Sequence, residues 1–572
     1  MQMKIPSYHF FKGLILLIAA NPAFGFEAFQ EAFELTLTPP QLVAQLDEHT
    51  GDVQLEHRSM SCSWQGEVSN AGSYQLWITY YCEDDQAELE SQLNGETRRI
   101  RLLNIGSERI GNIYDDQGRL VKETTGSGAG ARGSYYFRHY AGNYSLSRDV
   151  EIGLVLTGGE GVRIHQIELV QERTFPEELE PLFFAAIDFY TAQYTPNELP
   201  RCTFNAKRGA FSSVSSIAVC GIALTAHAMN HELGRDPNAA DKVLNILNTL
   251  NGKNPDFDLG RHESGFIDHF FDARTGRKGS GSSTIDTGIL ISGVLVARNT
   301  FPQESIRDAA DELWNSIDWP RAVIRTDPSR PKFYFSGEDM DRFAGEPDPE
   351  NIRGISMYNE YILLAYFCQK NEDQIRGSKA RSNIMPDLYA LPLQVYAGRV
   401  LLGQRTQPSF LVQFPFYMSE LNRNDLFFSF TAAQAAADRK MGMHRSGDRT
   451  AWGVSPGTTP EKAYSVDNFR RNPQGVVRPR IVAGFIPVYP VAADDLYLRY
   501  RDPGNRWSLS FGTILPGFVP GNPDWRAWRL PGVDFSSLMY GLAAHHPRLG
   551  MGFFREATRF TFQYARNTDD TE

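Results

Sequence analysis

At 572 residues the chain is long enough for two or more domains with a large core. Its formal net charge of −11 argues against nucleic acid or an anionic membrane surface as a partner and suits a neutral substrate such as a glycan. Beyond the N-terminal segment no stretch is long and apolar enough to span a bilayer, so stable membrane insertion is not expected.

Residues 1–25 read as a secretory signal. Lys4 and Lys12 supply the positive charge, Gly13 to Ala20 the apolar segment, and Ala23-Phe24-Gly25 the small residues of a cleavage site. The mature chain is expected to begin at Phe26 and to be periplasmic or extracellular. Export in turn permits disulfides. Cys62 with Cys82 and Cys202 with Cys220 form two local pairs, leaving Cys368 free in a helix; the alternative is five reduced cysteines in the core.

Residues 26–173 alternate with period two. Tyr74 to Tyr81, Val150 to Leu156 and Val162 to Val170 are strands of this kind, broken by Gly, Asn and Asp clusters. The pattern predicts an antiparallel β-sandwich, of the sort that can bind carbohydrate. Gly128-Ala129-Gly130-Ala131-Arg132-Gly133 matches the dinucleotide fingerprint in letters only. It leads into strand-like Ser134 to Phe137 rather than a helix, so it reads as a hairpin loop and no nucleotide cofactor is expected.

From residue 174 to 572 the period becomes helical. Candidate helices are Leu182 to Gln193, Ser215 to Leu233, Ala240 to Leu250, Thr284 to Arg298, Ser305 to Ile317, Met357 to Gln369, Leu391 to Leu402, Asn424 to Lys440, Ala492 to Tyr500, Asp534 to Ala544 and Phe553 to Tyr564. Long Gly/Pro-bearing loops separate many of them. This number of helices predicts an all-α toroid whose helix N-termini and loops at one end make the site. His262-Glu263 opens like a zinc-protease motif, but His269 is too far along for two ligands on one helical face, so no metal is expected.

Two segments carry candidate chemistry. In Ser283-Thr284-Ile285-Asp286 a hydroxyl can cap the first turn, and Asp286 sits where the helix dipole favours negative charge. Tyr358-Asn359-Glu360 likewise leads the apolar run Tyr361 to Phe367. Glycoside hydrolysis needs two carboxyl groups, one to protonate the leaving oxygen and one to serve the anomeric carbon. The bland alternative is a helix-start Asp and a capping-box Glu.

Three blocks in order, Gly265 to Asp272, Ser283 to Arg298 and Tyr358-Asn359-Glu360, resemble the glycoamylase-like family that contains the bacterial endo-β-1,2-glucanases. Ser215 to Ala218 and Trp452-Gly453-Val454 are similar to further blocks of it. The resemblance covers about Pro176 to Phe562 and leaves the sandwich out. It implies an (α/α)6 toroid and inverting hydrolysis of β-1,2-linked glucose. It places the general acid on Glu360, acting through a substrate hydroxyl, and gives Asp286 the grip on a sugar at the cleavage point. Ser283 stands where some members carry a second acid. The family's general base is an Asp in a segment that here reads Phe511-Gly512-Thr513-Ile514-Leu515-Pro516-Gly517-Phe518, without an acid. Asp524 and Asp534 are the nearby replacements, and Asp534 resembles a different Asp of the family; either can equally be a plain cap.

His269, Tyr358, Asn359, Trp452 and Tyr417 are candidate sugar contacts, with Phe416, Trp525 and Trp528 also in or beside loops; sugar C–H faces pack on aromatic rings. The expected activity is therefore a secreted endo-β-1,2-glucanase acting on a β-glucan oligosaccharide or polysaccharide. A polysaccharide lyase of the toroid-and-sandwich type, and a glycan-binding protein without turnover, are the competing readings.

Overall fold

The computed structural model describes residues 53–564, apart from 69, 107–108, 118, 124–134, 194, 328–330, 349, 353, 357–359, 377–383, 404–407 and 469–470, and adds the strands Glu34–Thr36 and Gln45–Leu46. The expected signal at residues 1–25, residues 128–133, Tyr358 and Asn359 lie outside the described residues.

The N-terminal part is rich in sheet. One five-stranded sheet runs in the order Glu34–Thr36, Ser61–Glu67, Asp149–Gly158, Glu88–Leu93, Glu96–Arg101. A second runs Phe137–Leu146, Gly72–Tyr81, Val162–Gln171, Val53–Leu55, Gln45–Leu46, and all neighbours in both sheets are antiparallel. In Gly72–Tyr81, Leu76, Trp77, Ile78 and Tyr80 are all fully buried, on both faces of the strand. A sheet with one wet face alternates; a strand covered on both sides reads as a continuous apolar run.

The second cover is helical. Tyr140 stacks on Phe428 with centroids 4.1 Å apart, the Tyr140 N–H donates to Ser429 Oγ at 2.8 Å, and Gln75 Nε2 donates to the Pro487 carbonyl at 2.8 Å. A single hydrophobic cluster runs through both parts of the chain. A four-stranded mixed sheet ties them further: Leu393–Tyr396 pairs in parallel with Ile110–Tyr114 and antiparallel with Arg399–Leu402. The Leu391 to Leu402 segment is thus a hairpin and not the expected helix. Ala397 (φ 49°) and Gly398 (φ 76°) make its turn, which a helix would not contain.

After residue 179 helices dominate. Ile217–Glu232 packs on Thr284–Thr300, which packs on Tyr361–Arg376, which packs on Phe410–Met418, which packs on Gly532–His545, which returns to Ile217–Glu232. Pro479–Ala483 lies against the last of these. Ile217–Glu232 and Thr284–Thr300 approach most closely at two glycines: a Cβ on Gly293 would sit 1.9 Å from the Gly221 carbonyl oxygen. Phe410–Met418, Pro479–Ala483 and the short Gly337–Arg342 are helices not foreseen, and the last candidate helix shrinks to Gly550–Ala557.

Neighbours in this circuit run the same way. The starts of Ile217–Glu232 and Thr284–Thr300 are laced to one segment, by Ile217 N–H to the His269 carbonyl at 3.2 Å and Ser283 N–H to the Ile267 carbonyl at 3.0 Å. Gly288 faces Leu364, Gln413 bonds the Ile481 carbonyl, Tyr417 the Gly484 carbonyl, Gly532 faces Val219, and Arg480 pairs with Asp534. Early residues meet early residues, and late Tyr417 meets late Gly484. Asp286, Glu360, Arg480 and Asp534 therefore share one end of the circuit, where the orphan N–H groups and positive dipole ends collect.

All five cysteines are thiols in this structure, which corrects the two expected disulfides. Cys62 lies on the strand Ser61–Glu67 and Cys82 just beyond the end of Gly72–Tyr81 in the other sheet, where its Sγ bonds within the Asp84 turn. Cys220 Sγ lies 3.6 Å from Ser215 Oγ and Cys202 Sγ 3.6 Å from Thr203 Oγ1. Burial pushes the thiols up, Cys82 to about 11 and Cys220 to about 12, as expected of cysteines acting as small core hydrophobes.

Candidate active site

The Gly265 to Asp272 block builds one wall. Phe270–Asp272 pairs antiparallel with Val214–Ser216, and the His269 N–H donates to the Gly281 carbonyl at 3.0 Å. Gly265 has φ 84°, and a Cβ there would lie 2.0 Å from the Ser316 carbonyl oxygen, so only glycine fits. The outcome is a fixed His269, stacked on the partly exposed Phe270 at 3.7 Å, with Nε2 3.4 Å from Asp286 Oδ1.

Ser283 caps the Thr284–Thr300 helix: its Oγ accepts from the Asp286 N–H at 3.2 Å and donates to Asp286 Oδ2 at 2.5 Å. Asp286 is thus held by His269 on one oxygen and Ser283 on the other. Thr284 turns away and donates to the Tyr334 carbonyl at 2.7 Å.

Glu360 immediately precedes Tyr361–Arg376. The residue is half-buried, and its Oε2 is closed to solvent without a hydrogen-bond partner among the described residues. Its carboxyl is pushed up to about 7, mainly by burial, against the pull of the Glu360 backbone N–H, with the charge of Asp286 adding a lesser push upward. Two carboxyl groups at one end of the circuit thus have different environments: Asp286 is hydrogen-bonded by Ser283, while Glu360 has one oxygen buried and without a partner among the described residues. Burial of this kind keeps a carboxyl protonated toward neutral pH, as a general acid requires.

Beside them Asp268 is buried, with Oδ2 unpartnered among the described residues and Oδ1 3.5 Å from Lys278. Lys278 also reaches Glu338, which accepts from Ser282 Oγ at 2.8 Å. Asp268 lies within the recognisable block, yet no local signal sets it apart from its neighbours. Its burial is a product of the Gly260 approach: a Cβ on Gly260 would fall 1.9 Å from Asp268 Oδ2.

Of the remaining candidates, only Asp534 shares this end of the circuit. Asp534 is in the first turn of Gly532–His545, buried, with Oδ2 3.3 Å from Arg480 Nη2. Burial pushes its carboxyl up while Arg480 and Arg478 pull it down. Asp524 lies exposed on the strand Asn522–Arg526 and joins no ion pair among the described residues. Trp452 is fully buried, donating Nε1 to Asp495 Oδ2 at 2.9 Å and stacking on Phe485. Tyr417 is buried too, its hydroxyl donating to the Gly484 carbonyl at 2.9 Å. Neither ring offers a face to a sugar, nor does Phe416, because all three pack the core between helices. Trp525 and Trp528 are half-exposed, and Lys207 covers the Trp528 ring at 5.1 Å. No group of three or more metal-ligating side chains occurs among the described residues, and no helix there is long and apolar enough to cross a membrane.

The fold is shared with several solved proteins. The chain is similar to a candidate glucoamylase from Bacteroides uniformis (TM-score 0.52, 17% identity, covering 68% of this chain and 95% of that one). It is also similar to the endo-β-1,2-glucanase of Chitinophaga pinensis, solved with sophorotriose and glucose (TM-score 0.51, 14% identity, 67% and 96%). The β-1,2-glucanase of Parabacteroides distasonis matches over 92% of this chain and 97% of its own, at 12% identity and TM-score 0.50. That longer match takes in the sheet-rich part as well as the helices. No family model and no curated protein matches the chain.

Proposed function

We propose that the chain is a secreted glycoside hydrolase that cleaves β-1,2-glucan in the endo manner with inversion. The observation that carries this reading is Glu360: a carboxyl kept protonated to about pH 7 by burial and by Asp286, at the shared end of the helical circuit. It is the general acid, delivering its proton toward the leaving oxygen by way of a substrate hydroxyl. Asp286, fixed by Ser283 and His269, accepts hydrogen bonds from the sugar at the cleavage point. Water attacks the anomeric carbon from the opposite face.

Of the two base candidates, position favours Asp534, which stands at the same helical end with Arg480 holding one oxygen, over Asp524 on its exposed strand. In this reading the helices of 174–572 form an (α/α)6 toroid, the strands of 26–173 a sandwich that assists glycan binding, and residues 1–25 are removed on export. The test is incubation of the purified mature chain with a panel of β-linked glucans, with product size and anomeric configuration followed by NMR. The expected result is initial release of α-anomeric β-1,2-gluco-oligosaccharides. An unsaturated product absorbing in the near ultraviolet would assign a lyase instead, and tight glucan binding without turnover a non-catalytic binder.

A further inference from the structure

The loop between Pro456 and Asp467 is built more rigidly than its surface position requires. Gly457 and Ser465 form an antiparallel bridge with reciprocal bonds of 2.9 and 2.8 Å, and Thr458 Oγ1 donates to the Ala463 carbonyl at 3.2 Å. Beneath it lie two buried arginines. Arg478 Nη2 donates to the Thr458 carbonyl at 3.1 Å and lies 3.4 Å from Asp467 Oδ2. Arg480 Nη2 donates to the Pro456 carbonyl at 3.2 Å and lies 3.3 Å from Asp534 Oδ2. Gly457 has φ 144°, and a Cβ there would come within 2.9 Å of Arg478 Nε.

Burying two ion pairs costs more desolvation than their attraction returns in many settings. Here the four charges fix the loop on the starts of Pro479–Ala483 and Gly532–His545. The crest of this loop is apolar and open: Tyr464 is 51% exposed and Val466 59%. Such rings are normally taken into a core or an interface. Arg480 joins this loop, through the Pro456 carbonyl, to Asp534 in the first turn of Gly532–His545, so the loop that carries Tyr464 lies at the end of the circuit shared with Asp286 and Glu360. Burial pushes the Tyr464 hydroxyl up, and Asp534 raises it further while Arg480, Arg478 and Arg529 lower it. The circuit sets the helix Gly532–His545 apart from Tyr361–Arg376, separated by neighbours on both sides.

We propose that Tyr464 is a sugar-stacking platform, held rigid by the Arg478 and Arg480 clamp, that binds a glucose unit of a glucan chain lying across this end from the Glu360 side. The inference rests on the glycan-hydrolase reading. A neutral glucan chain suits the site because the loop presents an aromatic face and an aliphatic edge, while each buried arginine beneath it already faces a carboxylate, Arg478 that of Asp467 and Arg480 that of Asp534. Val466 supplies the edge of the same subsite.

The experiment compares Tyr464→Ala and Tyr464→Phe with the unaltered chain on β-1,2-glucan, and measures gluco-oligosaccharide binding to Glu360→Gln with and without Tyr464→Ala. For Tyr464→Ala, KM rises about tenfold with kcat within a factor of two, as expected for loss of one aromatic face. Tyr464→Phe keeps the wild-type KM, and the binding constant of the inactive variant weakens by the same factor as KM. An unchanged KM and binding constant in Tyr464→Ala, in an enzyme that does hydrolyse the glucan, overturns the platform and leaves the activity standing. So does a Tyr464→Ala variant that differs only in oligomeric state. Absence of hydrolysis and of binding by the unaltered chain overturns the functional reading, and the platform with it.

Discussion

Replacing Glu360 by Gln should separate activity from stability in a pH-dependent way. The carboxyl moves from an ordinary 4.5 to about 7 on folding. Below pH 4.5 folded and unfolded chains are both protonated there, and the shift contributes nothing. Between 4.5 and 7 the unfolded chain ionises while the folded one keeps its proton, so the native protein loses stability as pH rises. Above 7 the loss is complete. Two and a half pKa units correspond to about 3 kcal/mol. Glu360→Gln removes that penalty, because an amide does not ionise. The variant should thus gain about 3 kcal/mol relative to the parent between pH 4.5 and 8, whatever constant offset the amide itself introduces. Urea unfolding of both proteins at several pH values across that range measures the difference. Activity should move the other way: loss of a general acid lowers kcat by about 10²- to 10⁴-fold. In the parent, kcat/KM should fall on the alkaline side with an apparent pKa near 7. A stability difference that stays flat with pH would refute the idea that this carboxyl is held neutral. Parent-like release of reducing ends by the variant would refute its role as the acid.

Other outcomes follow from the geometry. Ser283→Ala removes both the cap and one clamp on Asp286; unfolding should show a loss of about 1 kcal/mol, with a fall in kcat larger than that stability change explains. Asp534→Ala leaves Arg480 buried without its carboxylate, so denaturant melts should report a loss of about 3–5 kcal/mol, and Asp534→Asn should abolish turnover at retained fold if Asp534 is the base. Gly293→Ala drives a methyl into the Gly221 carbonyl; a drop of at least about 1–3 kcal/mol in thermal or chemical unfolding is expected, and a neutral result would contradict the close helix approach. All five cysteines of the folded protein are thiols, so thiol titration of the denatured, unreduced chain should return five equivalents, and a smaller number would show that disulfides form.

The division between strands and helices, the Thr284 and Tyr361 helices and their leading carboxylates were legible in the chain, because each depends on local signals: periodicity, a capping hydroxyl, a first-turn acid. Other elements were not. Leu391 to Leu402 has apolar spacing compatible with a helix, and its partner strand Ile110–Tyr114 lies far away in sequence. The Cys pairs were close in number but are separated between sheets or satisfied by neighbouring hydroxyls. Trp452 and Tyr417 sit beside Gly- and Pro-bearing segments, and only packing reveals that both rings are enclosed. Tyr464 passed unnoticed in a long polar loop, since nothing near it in sequence announces the buried arginines beneath it; a Tyr between Ala463 and Ser465 in a segment with no helical or strand period was the one available signal.

By itself the sequence determined where each carboxylate stands on its helix, since capping and dipole effects act within a single turn. Tertiary structure decided which of those helix starts come together and how dry each becomes. Parallel packing gathers Asp286, Glu360 and Asp534 at one end from positions far apart in the chain. Burial then raises Glu360 to about 7, and close packing sets Asp534 against Arg480. Desolvation and charge proximity depend on every element that closes over a group, and so they belong to the assembled fold rather than to any stretch of residues.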